Sequence, residues 1–125
     1  SDVGGAAGNI YESRYDLERC RKCRRSSCLF PVPCSSYVCT GKETVRLLRR
    51  MRMHPKVKHL YINSGIRLDL ALRQPELLRE IIEHHVSGHM KVAPEHLNPA
   101  VLKLMRKSPA EDFYKFMEVF DQISR

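Results

Sequence analysis

A chain of 125 residues, 42% apolar and 29% charged, has the size and balance of a single globular unit with a modest core. No run approaches the roughly eighteen consecutive apolar residues of a membrane-spanning helix. The opening Ser1-Asp2-Val3-Gly4-Gly5 has neither the basic region nor the apolar run of a secretory signal. A net charge of +8, from 22 basic and 14 acidic residues, permits an anionic partner such as nucleic acid.

In chain order, Asp2-Val3 followed by the glycine-rich Gly4 to Asn9 reads as a strand end running into a loop. Residues 12–40 read as an irregular insertion, rich in cysteine and broken by Pro31 and Pro33. Thr40-Gly41-Lys42-Glu43 has the spacing of a capping box and opens a helix with Val45, Leu47, Leu48 and Met51 on one stripe. Residues 57–63 form a β-rich run, read as a strand, with Ser64 to Asp69 as the loop after it. Pro75 suits the first position of a second helix, which Gly88 is placed to cap. Residues 89–93 read as another strand, stopped by Pro94. Asn98-Pro99 starts a short helix carrying Val101, Leu102 and Met105. Ser108-Pro109-Ala110-Glu111 has capping-box spacing again, before a helix with Phe113, Phe116, Met117, Phe120 and Ile123 on one stripe.

Strands alternating with helices over residues 41–125 predict an α/β fold of successive βα units with parallel strands. Parallel strands need cover on both faces, so the chain is expected to be part of a larger barrel of such units.

All five cysteines lie between Cys20 and Cys39. An odd number of packed cysteines fits metal ligation in a reducing, cytoplasmic compartment better than a disulfide framework. Soft thiolates bind zinc or iron–sulfur clusters, and the spacers within Cys20-x2-Cys23-x4-Cys28-x5-Cys34 let one loop wrap an ion. The spacing does not separate zinc from a cluster, and Cys39 is the ligand to drop first. A redox role for the Cys20-x2-Cys23 pair ranks last, because that pair opens no predicted helix. The basic clusters, Arg19 to Arg25 and Arg46 to Arg52, read as solvated faces, since no interleaved aromatics mark an RNA surface.

Chemistry in βα folds gathers where strand ends meet the following loops. Three such ends are expected here: Gly4-Gly5, Ser64-Gly65-Ile66-Arg67, and Ala93-Pro94-Glu95-His96. On one rim, glycine backbone, a guanidinium and a carboxylate suit an amino-acid-like or nucleoside ligand. His96 is the histidine whose position favours a functional role most.

The strings DVGGAAGN, CRRSSCLFPVPC, INSGIRLDLAL and HHVSGHMKVAPEH, in this order, resemble segments of the YgiQ-type radical S-adenosylmethionine (SAM) proteins. The resemblance implies a fragment of a radical-SAM barrel, a partial TIM-type ring of βα units in which a [4Fe-4S] cluster cleaves S-adenosylmethionine. It implies that Gly4 and Gly5 lie along the methionine part of the cofactor, with Ala6 in place of the usual acidic residue. It further implies that Ser64, Arg67 and Glu95 line the cofactor rim. Cys20, Cys23, Cys28 and Cys34 resemble an additional cysteine cluster, for zinc or an auxiliary iron–sulfur group. The Cys-x3-Cys-x2-Cys loop of radical-SAM enzymes is absent from this chain, so the expectation is a piece that is inactive alone. The competing expectation is an autonomous zinc-binding module with a basic surface for RNA or a protein partner.

Overall fold

The computed structural model describes residues 14–125. The elements are β1 (Arg14–Tyr15), α1 (Leu17–Arg21), β2 (Tyr37–Val38), α2 (Lys42–Arg52), α3 (Leu68–Ala71), α4 (Pro75–His84), α5 (Pro99–Leu104) and α6 (Ala110–Ser124). Among the described residues, helix predominates and the only sheet is the antiparallel pair β1–β2.

Local chemistry explains several helix starts. Pro75 occupies the first turn of α4, where its missing N–H costs nothing. Asn98 caps α5, its side-chain oxygen accepting from the Ala100 N–H at 2.9 Å. In neither expected capping box is the hydroxyl residue itself the N-cap. The cap of α2 is Gly41, at φ 73°; Thr40 Oγ1 accepts from the Lys42 N–H at 3.5 Å, and the Glu43 carboxylate meets Arg46 at 2.6 Å. The cap of α6 is Pro109, which has no side-chain cap bond. Helix α4 ends at His84, short of Gly88, and the loop expected over Ser64 to Asp69 runs at Leu68 into the short helix α3.

Among the described residues, the strands expected at 57–63 and 89–93 do not form; an isolated parallel bridge joins Ile66, just past the first run, to Val92 in the second. Residues 57–63 form no ladder because the end of α4 takes their backbone groups. Ile62 N–H donates to the His85 carbonyl at 2.9 Å, and His85 Nδ1 meets the Leu60 carbonyl at 2.7 Å. His85 is completely buried by this arrangement.

Helix α4 divides the core. Leu77 and Ile81 pack with Val45, Leu48 and Ile62, whereas Leu78 packs with Ile66, Leu68, Ala71 and Phe116. Met90 touches both clusters and joins them. Each fully buried leucine or isoleucine contributes about 1.5–3 kcal/mol, so these two clusters hold α2, α4 and α6 around the bridged segments.

Candidate functional site

The Ile66–Val92 bridge brings two of the expected loops together. Gly65 and Ala93 adjoin it so closely that a Cβ at position 65 would lie 3.9 Å from the Ala93 Cβ. Beyond them opens a cleft of about 410 Å³, lined by Gly65 to Leu68, by Ala93, Pro94 and Glu95, and by Leu29, Lys107 and Ser108. Arg67 and Glu95 thus share one cleft, and half-buried Ser64 sits immediately before its lining segment. Gly4 and Gly5 lie outside the described residues.

Both charged side chains are held. Asp69 grips Arg67 through both oxygens, accepting from Nε at 2.7 Å and from Nη2 at 3.0 Å, with the carboxylate 5% exposed. This fork geometry fixes the guanidinium plane. Asp69 Oδ1 also accepts from the Leu70 N–H at 2.9 Å, which anchors the carboxylate to α3. Glu95 accepts from the Lys107 ammonium at 2.8 Å. His96 does not line the cleft; its Nδ1 accepts from the Asn98 N–H at 2.8 Å, helping to set the start of α5.

The cysteine segment forms the third wall. β1 and β2 pair Arg14 with Val38 and Tyr15 with Tyr37, closing residues 16–36 into one loop whose neck carries an edge-on Tyr15–Tyr37 contact at 5.4 Å. Within the loop, Asp16 caps α1, and Cys20 stands on that helix. The Cys34 N–H donates to the Cys28 carbonyl at 2.7 Å, pinching residues 28–34 into a smaller loop. Arg25 braces it, its Nη2 donating to the carbonyls of Phe30 at 3.1 Å and Val32 at 2.7 Å. That inner loop presents Leu29 to the cleft, and Arg67 Nη2 also reaches the Leu29 carbonyl at 3.5 Å. Its Pro31, Val32 and Pro33 line a neighbouring cavity of about 490 Å³, with Asp69, Arg73, Ser108 and Asp112 among the other walls.

The five thiols form no disulfide. Desolvation pushes the Cys20 thiol up, and the charges of Cys28, Cys23, Cys34 and Asp16 add to the rise. Cys34 goes the other way: the Ser36 N–H stabilises its thiolate against desolvation, with help from Arg25 and Arg19. Cys20 therefore feels the charge of the other three expected ligands within a single loop. Among the described residues, no group of three or more His, Cys, Asp or Glu side chains is gathered closely enough to hold a metal ion. Cys39 is set apart, since Gln74, itself buried, donates its Nε2–H to the Cys39 carbonyl at 2.9 Å and sulfur at 3.0 Å.

Much of the basic charge serves the fold. Arg49 and Arg52 meet the buried Glu80, and Arg49 also meets Glu76. No helix among the described residues is long and apolar enough to cross a membrane.

Sequence comparison finds relatives along almost the whole chain, each named a UPF0313 protein. One from Porphyromonas gingivalis is 39% identical over 99% of this chain and 21% of its own length. One from Chromobacterium violaceum is 40% identical over 100% of this chain and 17% of its own length. A third, from Geobacter sulfurreducens, is 45% identical over 96% of this chain and 20% of its own length. The chain thus spans about a fifth of the length of the curated relatives it matches. No family model and no solved structure matches it.

Proposed function

We propose that this chain supplies part of the cofactor rim of a radical-SAM enzyme, with the cleft between Arg67 and Glu95 receiving S-adenosylmethionine. The observation that carries this reading is the parallel Ile66–Val92 bridge, which sets the Ser64–Arg67 and Ala93–Glu95 turns side by side on one cleft. A guanidinium and a carboxylate across a small cleft suit a zwitterionic amino-acid moiety, whose carboxylate and ammonium they complement. The relatives' greater length is consistent with barrel strands contributed by the rest of such a protein. In such an enzyme a [4Fe-4S] cluster supplies the electron that cleaves the cofactor. This chain has no Cys-x3-Cys-x2-Cys loop for that cluster, so on this reading the chain by itself binds without cleaving.

Cys20, Cys23, Cys28 and Cys34 are proposed to hold zinc or an auxiliary iron–sulfur cluster beside that cleft. What supports this reading is donor chemistry: four soft thiols lie on one short closed loop, and a cation there would offset the charge that Cys28, Cys23 and Cys34 add to desolvation at Cys20. The loop's backbone bonds and the Arg25 brace hold its shape without using those sulfurs as crosslinks.

The test is a calorimetric titration of the anaerobically purified chain with S-adenosylmethionine. Saturable binding is expected, weakened about tenfold or more by Arg67→Ala, as loss of a charge-assisted hydrogen bond implies. No saturable binding by a chain with native circular dichroism overturns the assignment of the cleft. Metal analysis of the same sample separates zinc, without a visible chromophore, from an iron–sulfur cluster, with one.

A further inference from the structure

Among the described residues, the non-glycine residues with positive φ are Glu95, at 61°, and Arg106, at 54°. Left-handed backbone at such residues is strained, and strain of this kind concentrates at functional positions. These two residues stand on either side of one ion pair. At Glu95, the His96 N–H reaches back to the Pro94 carbonyl at 2.6 Å, a tight turn that carries the carboxylate into the cleft. At Arg106, helix α5 closes with paired bonds, Lys107 N–H to the Leu102 carbonyl at 2.9 Å and Arg106 N–H to the Lys103 carbonyl at 3.2 Å. This is a Schellman end, whose left-handed position usually belongs to glycine. It swings the next residue, Lys107, into the same cleft, where its ammonium meets Glu95 at 2.8 Å.

The geometry points to Lys107 as a built-in competitor: it occupies Glu95, and a ligand cation must displace it. The inference rests on the cofactor reading above and adds a specificity device to that site. With side-chain exposures of 40% for Lys107 and 34% for Glu95, the pair is weak enough to exchange. A ligand bearing an ammonium or sulfonium replaces the lost partner of Glu95, whereas a neutral ligand of the same shape leaves the pair intact. The preference for cations comes from Glu95, and the lysine tempers it, because only cationic ligands must break the pair to bind.

The experiment compares S-adenosylmethionine with the neutral methylthioadenosine on four forms of the full chain: native, Lys107→Met, Arg106→Gln, and the Lys107→Met/Glu95→Gln double variant. Removing the competitor is expected to tighten S-adenosylmethionine about two- to fivefold, the range of an exposed ion pair, and to leave methylthioadenosine unchanged. Arg106→Gln, which removes a neighbouring charge without touching Glu95, is expected to change neither ligand. The double variant is expected to lose the gain. If Lys107→Met tightens neither ligand, tightens both equally, or acts no differently from Arg106→Gln, the competitor role is overturned while native binding upholds the cofactor reading. If no form with native circular dichroism binds S-adenosylmethionine, the cofactor reading falls and the competitor role falls with it.

Discussion

Arg49 of α2 donates its Nε–H to Oε2 of Glu80 on α4 across 2.8 Å, joining a guanidinium that is 46% exposed to a carboxylate that is 2% exposed. Arg52 binds the other oxygen, also at 2.8 Å. The pair of bonds lets a charged side chain sit inside the α2–α4 interface, beside the fully buried His85.

Burial alone would raise the Glu80 pKa, but the hydrogen bonds and charges of Arg49 and Arg52 outweigh it and hold the carboxyl below its ordinary value. The folded-state pKa therefore lies under the unfolded one. The stabilisation is fully present above the unfolded glutamate value of about 4.3 and is lost as pH falls through the folded value. Glu80→Gln is expected to destabilise the chain by about 2–3 kcal/mol at neutral pH and to flatten the acid limb of stability. Urea unfolding of both forms from pH 7 down to about pH 3 reads this out. A mutant whose acid limb stays as steep as the native one contradicts it.

Gly41 is constrained both by its backbone and by its neighbour. At φ 73° it starts α2, and a Cβ there would stand 3.0 Å from both Cβ and Cδ2 of Leu77. Backbone strain and overpacking act together, so Gly41→Ala is expected to lower stability by about 1–3 kcal/mol, measured by thermal melting.

Arg106 offers the opposite test. Its left-handed φ of 54° costs about 1–2 kcal/mol; glycine removes that strain, and its more flexible unfolded chain offsets part of the gain. Arg106→Gly is expected to stabilise by about 0.5–1 kcal/mol in denaturant unfolding.

Cobalt(II) is a spectroscopic probe for the cysteine loop, because thiolate ligation gives intense near-ultraviolet charge-transfer bands. Serine in place of Cys20, Cys23, Cys28 or Cys34 is expected to weaken uptake by at least about tenfold. Cys39→Ser is expected to leave it unchanged, since that sulfur is engaged by Gln74. Equal loss from all five substitutions contradicts this ligand assignment.

Helices were legible where their signals are local. Pro75 and Asn98-Pro99 mark starts through the chemistry of one or two residues, and the structure uses both. The capping-box patterns at Thr40–Glu43 and Ser108–Glu111 misled for an equally physical reason. Gly41 and Pro109 take the cap positions, and the Glu43 carboxylate meets Arg46 one turn along the helix. The β-rich run at residues 57–63 failed to form a ladder because His85, far along the chain, captures the Leu60 and Ile62 backbone groups. At the cleft, Arg67 and Glu95 were named from sequence, whereas Leu29, Lys107 and the Asp69 clamp were not. The two left-handed residues bear no sequence mark either, being arginine and glutamate where glycine would have signalled the turn.

The order of residues was enough to establish the cysteine loop as a candidate metal ligand set, the helix stripes and the two turns that face the cleft. All of these follow from spacing and side-chain type within short windows of chain. Tertiary structure alone decided that the turns adjoin, that the cysteine loop walls the same cleft, and that Lys107 meets Glu95. Those relationships depend on backbone direction and on contacts between distant segments, which no local pattern of residues encodes.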